Sequence, residues 1–81
     1  MTTGQRKMGV LSKVIYLVKM EMESNGVSES EAYDRISQTH IYGLLKNTKT
    51  GLYLEPAEYI KKAYELETND SVEKMLEFIK L

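Results

Sequence analysis

Proton-transfer chemistry in this chain would have to begin at His40, its one histidine. A general base needs an orienting partner and a nucleophile or polarised water within hydrogen-bond reach. The sequence near His40 offers Ser37, Thr39 and Tyr42, in no arrangement that builds such a relay. Cysteine is absent, which removes thiol nucleophiles, disulfides and thiolate metal sites together. A single histidine does not complete a zinc site without a cluster of carboxylates. The acidic pairs Glu21/Glu23, Glu29/Glu31 and Glu65/Glu67 are each spaced i, i+2, and on a helix that spacing sends the two side chains to different sides. Glu55 and Glu58 can share a face, but they flank Pro56, where an acid stabilises the start of a helix. Thr48-Lys49-Thr50-Gly51 lacks the glycine spacing of a phosphate loop. The residues therefore predict no catalytic residue, no metal site, no bound cofactor and no enzyme activity.

Binding is better provided for. The chain holds six tyrosines against one phenylalanine and no tryptophan, and four of the six fall between Tyr42 and Tyr64. Tyrosine offers a large contact area with a polar tip, which suits a surface that is covered part of the time. The expected partner-binding surface comprises Tyr42, Leu52, Tyr53, Leu54 and Tyr59, grouped around the Gly51 turn.

The elements that position these residues read as helices. From Val10 to Ser24 the apolar residues Leu11, Val14, Ile15, Val18 and Met22 recur at helical spacing, with Leu17 and Met20 widening the stripe. This predicts the most buried helix, with Val14, Ile15 and Val18 in the middle of its stripe and Leu17 on the flank. Asn25-Gly26 ends it. Ser28 and Glu31 form a capping box that starts a second helix running to about Gln38, with Val27 and Ala32 placed as a hydrophobic staple. A shorter helix follows over Thr39–Lys46. Residues 47–51 form a turn, and Leu52-Tyr53-Leu54 reads as extended. Pro56 opens a helix to about Glu67, and Asp70 with Glu73 opens the last one, striped by Val72, Met75, Leu76 and Ile79. The expected fold class is all-α: a compact bundle of four to five short helices, with a short extended segment near residues 52–54. Residues 1–9 are expected to be a flexible lead-in, and 10–81 a single helical domain.

Eleven basic and twelve acidic side chains nearly cancel, so no general attraction for nucleic acid or anionic lipid is expected. No apolar run approaches the roughly 18–20 residues that span a bilayer, and no signal-peptide pattern is present. These features predict a cytoplasmic protein. A chain of 81 residues buries only about 60% of its unfolded surface, so a homodimer or a protein partner is expected to complete the core.

Val27-Ser28, Glu31-Ala32-Tyr33, Ile36, Tyr42-Gly43-Leu44-Leu45, Gly51-Leu52-Tyr53-Leu54-Glu55 and Glu58-Tyr59-Ile60 resemble short bacterial all-α domains of unknown function. Such domains occur in small accessory gene clusters, some of them toxin–antitoxin-like. The resemblance covers residues 10–67, and it rests on packing and turn residues, so it implies a fold and a context with no catalytic residues. The function expected from sequence is a non-enzymatic protein–protein interaction domain, as a homodimer or a small regulatory partner. The alternative is a small helix-turn-helix-like DNA-binding regulator using Thr39–Lys46. Only Lys46 and Lys49 lie near that segment, fewer than the basic stripe such binding needs.

Overall fold

The computed structural model describes residues 3–80, with side-chain environments from residue 7 onward. Five helices follow one another: α1 (Thr3–Asn25), α2 (Glu29–Ser37), α3 (His40–Lys46), α4 (Ala57–Asn69) and α5 (Val72–Ile79). Two 3₁₀ turns, Thr48–Thr50 and Leu52–Leu54, join α3 to α4. No strand occurs among the described residues, so the all-α expectation holds. The lead-in expected over 1–9 is helical from Thr3, while Met1 and Thr2 lie outside the described residues.

Helix ends form where local chemistry places them. Gly26, at φ 63°, donates its N–H to the Met22 carbonyl and stops α1. Ser28 Oγ accepts from the Glu31 N–H at 3.2 Å and starts α2, the serine half of the expected capping box, while the Glu31 carboxylate accepts from Arg35. The Ser28→Ala variant should lose about 0.5–2 kcal/mol of stability. Chemical denaturation measures it, and an unchanged midpoint would show that this cap contributes nothing. Two boundaries move from expectation. Pro56 is the cap preceding α4 rather than its first residue. Ser71, not Asp70, caps α5, its hydroxyl accepting from the Lys74 N–H, while Asp70 closes α4.

The segment expected to be extended, Leu52–Leu54, is a 3₁₀ turn instead. Gly51 sits in the left-handed region at φ 73° and turns the chain back on itself. The N–H groups of Leu54 and Glu55 then find the carbonyls of Gly51 and Leu52 at 3.0 Å. With no neighbouring strand, local i→i+3 bonds are the available way to satisfy this backbone.

The core joins Leu17 of α1, Ile36 of α2, Ile41 and Leu45 of α3, Ile60 and Ala63 of α4, and Met75 of α5, all fully buried. Leu52 and Tyr53 close it from the turn. In α1 the buried line is Val14, Leu17 and Glu21, so the centre of the stripe lies one step round the helix from the expected one. Ile15, expected at the core, is 44% exposed, and Val18 is half-buried. α1 carries apolar residues around most of its girth, and that breadth hides which arc α2 and the 3₁₀ turn will cover.

Candidate functional site

Of the five residues expected to meet a partner, Leu52 and Tyr53 are buried in the core and Leu54 is 61% exposed. Tyr53 lies under α1, close to Gly9, where an added Cβ would stand 2.8 Å from its ring. Tyr42 and Tyr59 are half-buried in two separate aromatic pairs. Tyr42 meets Tyr33 edge-on, with ring centroids 6.1 Å apart and hydroxyls bonded at 2.9 Å. Tyr59 packs against Phe78 at 4.8 Å. The hydrogen bond to Tyr33, reinforced by burial, raises the Tyr42 pKa. For Tyr59 burial is the main cause of the same shift.

Two carboxylates read from sequence as surface or capping groups turn inward. In two of the three i, i+2 pairs one member, Glu21 or Glu67, enters the structure while its fellow, Glu23 or Glu65, stays exposed; Glu29 and Glu31 are both exposed. Glu21 is buried, and its carboxylate accepts from the Tyr64 hydroxyl at 2.7 Å and from the Asn25 amide. The Arg35 guanidinium stands 3.8 Å away. Burial, then the hydrogen bond to Glu21, pushes the Tyr64 pKa well above that of a free tyrosine. The Glu67 side chain, only 8% exposed, takes the backbone N–H groups of His40 and Ile41 at 2.7 and 2.8 Å. His40 Nδ1 lies 3.3 Å from the same carboxylate. The one histidine is thereby tied to the seam between α3 and α4. Among the described residues no group of acids and histidines could hold a metal ion.

A trough of about 820 Å³ lies between α1 and α2. Leu11, Val14, Ile15, Val18 and Met22 line its α1 wall, and Tyr33 stands on α2. Lys19 and Glu29 mark its rims. Leu11, Ile15 and Tyr33 are each about half exposed, and Met8, further along α1, more so. A contiguous exposed apolar face of this kind marks a contact or ligand-binding surface. The sequence carried the signal in the breadth of the α1 stripe. α3, by contrast, presents one base, Lys46, with its ammonium over the Tyr42 ring at 5.2 Å.

The family described as malic enzyme, NAD binding domain, matches residues 1–81. By this match the chain belongs to that family. No curated protein and no solved structure matches. The match corrects the resemblance to bacterial accessory-cluster domains, since it names a different family. It also stands against the expected non-enzymatic interaction domain, its helix-turn-helix alternative and the expected lack of enzyme activity, because the family is that of an enzyme.

The residues do not fit the dinucleotide in the family's description. A nicotinamide dinucleotide is commonly bound at the carboxyl ends of parallel strands, with a G-x-G-x-x-G turn leading into a helix. The described residues form no strand. The five glycines, at 4, 9, 26, 43 and 51, are never spaced in that pattern. Family match and fold therefore disagree, and what the chain does rests on its own residues. No helix among those described is long and apolar enough to cross a membrane.

Proposed function

We propose that the chain works as a pair, the trough between α1 and α2 receiving α1 of a second copy. The observation that carries this is the spacing of apolar residues on the exposed side of α1, which is symmetrical about Ile15. Met8 and Met22 stand equally far to either side, and so do Leu11 and Lys19. Two antiparallel α1 helices crossing at Ile15 set Met8 against Met22 of the second copy at both ends. Ile15 then meets its own copy, and Leu11 meets the aliphatic stem of Lys19, whose ammonium stays in water. This is the self-complementary contact that two-fold symmetry requires. The apolar stripe is about 21 Å long at 1.5 Å per helical residue, and Tyr33 extends it sideways onto α2. A thin core gains most from such a covering. We place the pair in the cytoplasm, where a cysteine-free chain with balanced charge needs no oxidative stapling.

Sedimentation equilibrium tests the pairing. The parent should behave as a dimer that dissociates on dilution. Ile15→Glu should sediment as a monomer with an unchanged helical spectrum, since an unpaired charge buried at the crossing is strongly disfavoured. Leu54→Glu, at an exposed site on the Gly51 turn, should remain dimeric. A parent that is monomeric at all concentrations overturns the proposal. So does a loss of association confined to Leu54→Glu, which moves the contact to the tyrosine-rich turn.

A further inference from the structure

We infer that the described residues of this chain build no dinucleotide-binding site, despite the family to which the sequence is matched. In a helical protein a pyrophosphate would be received at a helix start. Backbone N–H groups at a helix start are the usual receptor, aided by the helix dipole. In α2, α3 and α5 the chain already fills that position. Ser28 Oγ takes the Glu31 N–H at the start of α2, and Ser71 Oγ takes the Lys74 N–H at the start of α5. At α3, Thr39 Oγ1 takes the Tyr42 N–H, and both Glu67 oxygens take those of His40 and Ile41. An internal carboxylate thus occupies the place a phosphate would take.

Charge works in the same direction. Glu29 and Glu31 stand in the first turn of α2, Glu58 in that of α4 and Glu73 in that of α5. Each repels a ligand carrying two phosphate charges. Three of the five glycines are committed as well. Gly9 is pressed against Tyr53, and Gly26 and Gly51 serve turns at positive φ. The trough has a largely apolar wall, and beside Lys19, the one base among its lining residues, stands the acid Glu29, which repels a pyrophosphate.

Calorimetric titration of the full chain with NAD⁺, and separately with NADP⁺, to about 5 mM decides the point, with the melting temperature followed in parallel. The expected result is dilution heat only and a melting temperature unchanged by either nucleotide. Saturable heat fitting one site, or a melting temperature that climbs with nucleotide concentration, would overturn the inference. Because the readout is nucleotide binding and not self-association, its failure leaves the pairing of α1 untouched.

Discussion

Leu17→Ala is expected to remove about 2–5 kcal/mol of folding free energy, a large share of what a small domain possesses. Leu17 is fully buried at the centre of the core, where α1 meets the rest of the bundle. Truncation leaves a cavity that the surrounding helices can close only in part. Ile15→Ala, half a turn away, is expected to cost under about 1 kcal/mol in the dissociated chain, because its side chain already faces water there. Urea denaturation of both variants at high dilution makes the comparison. A larger loss for Ile15→Ala than for Leu17→Ala would show that α1 buries the opposite arc from the one described.

The second large effect is expected at the buried polar node. Tyr64→Phe removes the hydroxyl that donates to Glu21 and leaves that carboxylate short of a partner, at a cost of about 1–3 kcal/mol. It also changes the response to alkali. The folded-state pKa of Tyr64 is raised, so above pH of about 10 the unfolded chain loses a proton that the folded chain retains. Stability contributed by this group is complete below that pH and falls as pH rises toward the folded-state value. Melting temperatures from pH 8 to 11 should therefore decline less steeply in Tyr64→Phe than in the parent. Identical slopes would mean that Tyr64 ionises as freely as an exposed tyrosine.

The sequence made legible what local chemistry controls. Ser28 and Glu31 mark a helix start wherever the rest of the chain lies, and Gly26 marks an end because its left-handed backbone suits few other residues. It was less informative where a choice depends on tertiary neighbours. Glu21 and Glu23 look alike in sequence, and only the approach of Tyr64 and Arg35 distinguishes the buried acid from the exposed one. The same holds for Glu67, whose partners lie on a helix 26 and 27 residues earlier in the chain. The tyrosine-rich segment drew attention by composition. Burial of Leu52 and Tyr53, however, follows from the Gly51 turn folding back under α1, and a period count does not register that.

The wide apolar girth of α1 obscured its buried arc and also supplies the exposed stripe for pairing. Because the chain contains no cysteine, a single introduced one reports contact directly. Ile15→Cys should oxidise rapidly to a disulfide-linked dimer, because only a residue on the two-fold axis meets its own copy within the short Cα–Cα distance a disulfide allows. Glu65→Cys, exposed on α4, should stay largely monomeric under the same oxidant and protein concentration. Dimer formation at Ile15→Cys no faster than at Glu65→Cys would contradict the pairing of α1.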